Sequence, residues 1–373
     1  MDSDPPGPDD LAALADADWG TALRAAPRHL FVPDRAWTAK HALIDRAADP
    51  GTWSKAVGRD LPVVTQIDDG ATELTDQSPW MTTNHTSSCS APSMVFDFLR
   101  LLDPCPGDRV LEIGTGTGWT AALLSARLGA GRVTTLEVDE AVAKQAAANL
   151  ERAGFAPKVV VGDGSDGWAQ GAPYDRVHAT CGVREVPYAW VEQTRPGGVI
   201  VLPWMHGVLG GGHKAVLTVT DGVAVGRFRG DCAYMMLRGQ REPQRPIDEE
   251  ARTAHPSIDP RRIASADRGL SLWLAGALPG VGVSSGNQRL DRSFRMVAWD
   301  QLGDSHARLD YWPEDRRGEV TLRGPRDLWN EVEAAYARWA GAGAPEADRF
   351  GLIVGAGGQR VWVDRPEFVV EGV

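Results

Sequence analysis

The stretch Val110-Leu-Glu-Ile-Gly-Thr-Gly-Thr-Gly-Trp-Thr120 runs as an apolar strand, breaks into alternating glycines and restarts as a helix. A strand, glycine loop and helix in this order cradle a cofactor, and two kinds meet the pattern: a dinucleotide, or a nucleoside bearing a sulfonium. The dinucleotide fingerprint needs G-x-G-x-x-G. Here the glycines stand at Gly114, Gly116 and Gly118, and position 119 is Trp. A pyrophosphate also favours a helix N-terminus free of negative charge. Glu112, two residues before the first glycine, repels phosphate and welcomes a cation. A loop serving only as a tight turn is the remaining alternative.

Working outward, strands are expected at Arg109–Ile113, Arg132–Val138, Lys158–Val161, Tyr174–Ala179, Val199–Leu202 and Ala215–Val219. Helices are expected between them at Ser93–Leu102, Thr120–Leu128, Asp139–Ala153 and Pro187–Gln193. Such alternation predicts an α/β fold with a doubly wound, mostly parallel Rossmann-like sheet. At its strand ends lie Glu137 and Val138, Asp163 and Gly164, and Thr180. Glu137 is placed for the vicinal hydroxyls of a ribose, a feature NAD enzymes share, and Asp163 for an adenine amino group. With Glu112, Thr115 and the three glycines, these favour S-adenosyl-L-methionine over NAD.

The wider chain divides into residues 1–85, an N-terminal helical, substrate-side segment; 86–240, the cofactor domain; and 241–373, an auxiliary α+β module expected to recognise the peptide, after the linker Arg241-Glu-Pro-Gln-Arg-Pro246. In that module, Ser305–Tyr311 and Glu319–Leu322 read as strands and Asp327–Trp339 as a helix. Arg349–Val354 with Gln359–Val363 reads as a closing hairpin. The formal charge of −11 argues against a nucleic-acid partner. No apolar run reaches the roughly 20 residues of a membrane span, and the acidic, Pro-rich start is not expected to act as a signal peptide. Cys89, Cys105, Cys181 and Cys232 are scattered without zinc spacing, so reduced thiols, a cytoplasmic setting and no metal are expected. A monomer is the default.

Several further segments carry a resemblance. Pro27-Arg-His-Leu-Phe-Val-Pro33, Ser88-Cys-Ser-Ala-Pro-Ser-Met94, the Val110–Gly118 loop, Gly162-Asp-Gly164, Ala172-Pro-Tyr-Asp-Arg-Val177 and Pro196-Gly-Gly-Val-Ile-Val-Leu-Pro203 follow one another in order. Together they resemble the protein L-isoaspartate O-methyltransferases over about residues 25–240. The resemblance implies a class I methyltransferase fold and methylation of an isoaspartyl carboxylate with S-adenosylmethionine. The family's Thr-Ile before its active-site serine is Ser88-Cys89 here, and roughly 30 additional residues precede it. The chain then continues well past the family's usual end. That extension resembles a subgroup associated with ribosomally synthesised, modified peptides (graspetide and lanthipeptide maturation), which methylates an ordinary aspartate in a cyclised precursor. The ester then collapses to aspartimide, with isoaspartate a further product. Repair of isoaspartyl damage remains an alternative, as does a precursor-binding scaffold that keeps the fold without catalysis.

The expected chemistry is an in-line displacement by a carboxylate. With an ordinary pKa of about 4, that group is ionised at neutral pH, so no base is required. Positioning carries the burden and can supply on the order of 7–11 kcal/mol. Ser90, with Ser88 beside it, is expected to orient the acceptor carboxylate; the competing role for Ser90 is an N-cap of the helix starting near Pro92. His29 and Arg238 are candidates for binding the peptide, the arginine by its carboxylate-matching fork. Trp119 is expected over the cofactor's pocket, or else as an ordinary aromatic at a helix start. Cys181, with no paired His, reads as a buried thiol rather than a nucleophile.

Overall fold

The fold is described from a computed structural model covering residues 8–372, apart from 79–83, 130, 243–249, 287–292, 302 and 304. The chain divides into two compact units: residues 1–181 with 189–202, and residues 182–188 with 203–373. Of the expected linker, Pro243 onward to Pro246 lies outside the described residues.

The first unit opens with α1 (Pro8–Ala25), whose Leu11, Ala15, Trp19 and Ala22 recur at helical spacing and form one buried stripe. A four-stranded antiparallel sheet follows, in the order β2 (Leu43–Asp45), β1 (Arg35–Thr38), β3 (Val63–Ile67), β4 (His85–Cys89), with α2 (Pro50–Val57) between β2 and β3. The helical reading of residues 1–85 fits α1, and these strands are not anticipated by it. The strands are short and their alternation sparse, but Trp37, Val64 and Ile67 together bury one face, which polar neighbours conceal in the sequence.

The cofactor-domain strands form a parallel series, β9 (Thr194–Trp204), β8 (Tyr174–Ala179), β5 (Val110–Ile113), β6 (Val133–Glu137), β7 (Lys158–Val161). Helices α3 (Pro92–Leu102), α4 (Trp119–Leu128), α5 (Glu140–Arg152) and α6 (Tyr188–Glu192) intervene in the chain. β5 lies between β6 and β8, parallel to both, and all four of its residues are buried. The strand order reverses there, so the loop leaving β5 sits at the switch point where open α/β sheets bind ligands. β9 begins at Thr194, ahead of the expected Val199. Pro196-Gly-Gly reads as a turn but lies within the strand, near an irregularity in its pairing with β8.

In the second unit β10 (Gly212–Thr220), β11 (Val223–Cys232), β17 (Phe350–Gly355) and β18 (Gly358–Val363) pair antiparallel in that order. β11 escapes a sequence reading because Gly226 looks like a breaker. Its hydrogen atom is instead a requirement: a Cβ would lie 1.8 Å from the Val216 carbonyl oxygen. A second antiparallel sheet runs β12 (Arg252–Ala254), β16 (Arg317–Arg323), β15 (His306–Trp312), β14 (Phe294–Asp300), β13 (Val281–Ser285). Helices α7 (Pro260–Ala264), α8 (Arg268–Ala277) and α9 (Leu328–Gly341) complete the unit. α9 turns Leu328, Trp329, Val332, Ala335 and Trp339 inward and packs on β14 to β16. The result is the class I methyltransferase α/β fold with an additional strand-rich module. Among the described residues no helix is long and apolar enough to cross a membrane.

Candidate active site

The loop after β5 needs its glycines for two separate reasons. Gly114, Gly116 and Gly118 have φ of 93°, 52° and 86°, a region other residues rarely occupy. Space is also short: a Cβ on Gly114 would stand 2.7 Å from Thr180 Oγ1, and one on Gly118 3.3 Å from the Ala146 carbonyl oxygen. A Cβ on Gly116 would lie 3.4 Å from the Ser88 carbonyl oxygen, so β4 runs directly against the loop. The loop therefore brings the expected cofactor residues next to Ser88, one of the expected acceptor serines.

Glu112 is fully buried within β5. Its Oε2 accepts from Thr135 Oγ1 at 2.6 Å, and Thr135 Oγ1 lies 2.7 Å from Thr115 Oγ1. Among the described residues, its Oε1 has no hydrogen-bond partner. Burial pushes its carboxyl up to about 8, with Glu137's charge adding to the rise and the Thr135 hydrogen bond opposing it. The carboxyl beneath the glycine loop is thus a protonated acid at neutral pH until a positive charge approaches.

Glu137 closes β6, and its carboxylate braces the loop: Oε2 accepts from Gly116 N at 2.9 Å and Oε1 from Asp139 N at 3.1 Å. Val138 beside it exposes its side chain, as does Val161 at the end of β7. Asp163 is exposed, and its Oδ1 accepts from Ser165 N at 2.8 Å, fixing the turn that carries buried Gly164. Thr180 N donates to the Ile113 carbonyl at 2.9 Å, and its hydroxyl donates to the Ile113 and Gly114 carbonyls. Burial, then the charges of Glu137 and Asp163, push the Cys181 thiol up to about 12, so it holds its proton and is no thiolate nucleophile. Trp119 points into the core. Its indole N–H donates to the Ala26 carbonyl at 2.9 Å, and its ring meets Phe96 edge-on.

On the acceptor side, Ser90 lies in the turn between β4 and α3. The N-cap of α3 is Ala91, with no side-chain cap, and Ser93 N is satisfied instead by Asp60 Oδ1 at 2.8 Å. The capping role weighed for Ser90 is therefore filled elsewhere, and among the described residues its hydroxyl has no partner. Ser88, half-buried, faces Val64 across β4–β3. In the segment Pro27–Pro33, Arg28 is buried, whereas His29 is exposed on the short turn Arg28–Leu30. Buried Arg28 donates to the carbonyls of Val57, Arg59, Leu61, Cys89 and Ser90 at 2.7–3.1 Å. Arg238 belongs to the second unit, half-buried on the turn Arg238–Gln240.

A family model described as protein-L-isoaspartate(D-aspartate) O-methyltransferase matches residues 64–237. The protein-L-isoaspartate O-methyltransferase of Methanopyrus kandleri is 39% identical over 164 residues, 42% of this chain and 70% of that one. The chain belongs to this family. The corresponding protein of Pyrococcus horikoshii is 39% identical over 152 residues, covering 40% and 69% of the two chains. A solved structure described as a protein-L-isoaspartate O-methyltransferase matches 96% of this chain and all of its own with a TM-score of 0.54, a likeness of fold at 19% identity.

This member is an S-adenosylmethionine-dependent carboxyl O-methyltransferase. The residues present fit that cofactor. Glycines shape a close backbone cradle, a buried acid presents an oxygen without a partner, and the neighbouring strand ends carry Glu137 and Asp163. When bound, the cofactor supplies an electrophilic methyl group on a positive sulfur. Two contributors are invisible to motif reading. Gln66 of β3 donates to Asp139 Oδ2 at 3.2 Å and accepts from Thr86 Oγ1 at 2.8 Å, so the N-terminal sheet is tied to the helix that follows Glu137. The other is Arg28. Its farthest carbonyl partners, on Cys89 and Ser90, lie 61 and 62 residues along the chain, and no local pattern announces them.

Proposed function

We propose that this chain methylates an aspartyl side-chain carboxylate of a modified ribosomal peptide, with aspartimide and then isoaspartate as products, in the cytoplasm. Ser90, with Ser88, orients the acceptor; Glu112, Thr115, the loop glycines, Glu137, Val138, Asp163, Gly164 and Thr180 line the cofactor. A carboxylate oxygen of the peptide takes the methyl group, and the carbon–sulfur bond breaks with its electron pair left on sulfur. The following residue's backbone nitrogen then displaces methanol from the ester and closes the imide. The chain's own work is to aim the carboxylate and exclude water, since the nucleophile is already ionised.

The observation that carries this reading is the four-stranded sheet that leads into Ser90 and is hydrogen-bonded through Gln66 to Asp139 at the cofactor edge. A sheet leading directly into the acceptor serine suits a shaped substrate better than damaged residues in many unrelated proteins. A second reading, repair of isoaspartyl residues, is favoured by a specific observation as well. The fold likeness to a protein described as a protein-L-isoaspartate O-methyltransferase extends over 96% of this chain, so a like-folded extension accompanies that description elsewhere.

The two readings separate in one assay. Methyl transfer is measured on an isoaspartyl peptide, on a linear peptide with ordinary aspartate, and on the same aspartyl peptide constrained by side-chain cyclisation. The proposal expects turnover of the constrained aspartyl peptide followed by loss of methanol; turnover of the isoaspartyl peptide alone overturns it in favour of repair.

A further inference from the structure

The second unit holds a cleft of about 740 Å³, within the usual range for ligand sites. Its walls are the loop 255–259, the first turn of α7 with Arg261 and Arg262, Tyr311, and the β15–β16 turn with Arg316 and Arg317. Four arginines face one aspartate there, in a chain whose formal charge is −11. We propose that this cleft binds a carboxylate-rich segment of the peptide substrate, away from the residue that is methylated. The proposal rests on the reading that the substrate is a peptide.

The cleft is built rather than incidental. Its loop is anchored from beneath by Glu333, which is 5% exposed. That carboxylate accepts from Ser257 N at 2.9 Å, Ile258 N at 3.1 Å and Trp329 Nε1 at 2.9 Å, and also from the Ser257 hydroxyl. His255 Nδ1 donates to the Gly318 carbonyl at 2.9 Å, and a Cβ on Gly318 would stand 2.4 Å from Pro256 Cγ. Loop and strand thus meet at a position only glycine allows.

The guanidinium groups are partly pre-oriented and largely unneutralised. Arg261 lies over Tyr311 at 5.6 Å and Arg317 over Trp312 at 4.3 Å, stacking that holds a planar fork in place. Arg261 pairs with Asp259 at 2.6 Å, and this hydrogen bond holds Asp259 below its ordinary pKa. Among the described residues, Arg262, Arg316 and Arg317 have no ion-pair partner. Two arginine pairs on two separate elements suit several carboxylates spaced along an extended chain, because each fork matches one carboxylate. A nucleic acid is disfavoured by the negative field of the rest of the protein.

The test uses the full chain and a short fluorescein-labelled peptide of glutamates without aspartate, followed by anisotropy, with its glutamine counterpart as control. The glutamate peptide is expected to bind and the glutamine peptide not, with affinity falling as salt is raised. Arg262→Glu with Arg316→Glu is expected to weaken binding by about tenfold or more. Far-UV circular dichroism and the thermal unfolding profile of the same variant report that it is folded. Equal binding by wild type and variant overturns the proposal, and so does an oligonucleotide that binds the cleft more tightly than the peptide. The anisotropy needs no methyl transfer, so failure of every peptide as a methyl acceptor would strike the functional reading and leave this result standing.

Discussion

The glycine-loop edge of the first unit and the arginine cleft of the second are both sites, but they are made differently. At the loop, backbone needs and buried ionisable side chains dominate: positive φ at three glycines, Glu112 sealed in β5, and Arg28 spanning five carbonyls. At the cleft, exposed arginine side chains dominate, set on a buried footing of Tyr311 and the anchoring Glu333. The difference teaches where stability and function are joined. Changes at the loop should move folding and binding together, whereas changes at the cleft should move binding and its salt dependence alone.

The largest effect is expected at Glu112. Below pH 4.5 its carboxyl is protonated in folded and unfolded chains alike, and burial costs nothing extra. Above that, the unfolded chain releases the proton first, so stability falls as pH rises toward about 8. In the limit the loss is on the order of 5 kcal/mol. Glu112→Gln should flatten this slope in cofactor-free protein followed by denaturant unfolding at several pH values. Identical slopes for the two proteins would contradict the protonated carboxyl.

Next comes Arg28→Met, which strands five buried or half-buried carbonyls and should cost about 3 kcal/mol or more. Methyl transfer should slow as well, since Cys89 and Ser90 lose their tether. Arg28→Lys should recover only part of each, because an ammonium has three donors where the fork reaches five acceptors. A shift in the unfolding midpoint worth under about 1 kcal/mol would show that the span is not needed.

These two residues also show what could be read from sequence. The parallel series was legible because β5 and β7 are short, mostly apolar runs that end at glycine turns and alternate with helical periods, and the tail hairpin because its two strands are close together in sequence. The loop was legible because glycine spacing reports backbone geometry directly. Arg28 was hidden because its partners are carbonyls on remote segments, and β11 because Gly226 fulfils a packing need that resembles a break. Trp119 sits at the helix start as expected, yet its indole bonds Ala26, a contact no motif specifies. The arginine cleft joins residues about 55 apart in sequence, and only the fold brings them to one place.

A smaller effect is expected at Gly114→Ala, which strains a φ of 93° and drives Cβ into Thr180 Oγ1. About 1–3 kcal/mol of strain should appear as a roughly tenfold or greater loss of S-adenosylmethionine affinity by calorimetry. Adding Thr180→Ala should restore part of it, by removing the clash though not the strain. No recovery would place the cost elsewhere in the loop. The smallest effect on folding belongs to Ser90→Ala. With capping supplied by Asp60, stability should stay within about 0.5 kcal/mol. Loss of a hydrogen bond to a charged acceptor should still lower kcat by roughly 10- to 100-fold. A destabilised variant with unchanged kcat would reverse that assignment.

The most direct test of the account is where the methyl group goes. With S-adenosylmethionine and an aspartyl or isoaspartyl peptide, the chain should add one methyl group that mild base releases as methanol, and the asparagine counterpart should gain none. A base-stable methyl group, or cofactor binding without transfer to any carboxylate, would contradict it.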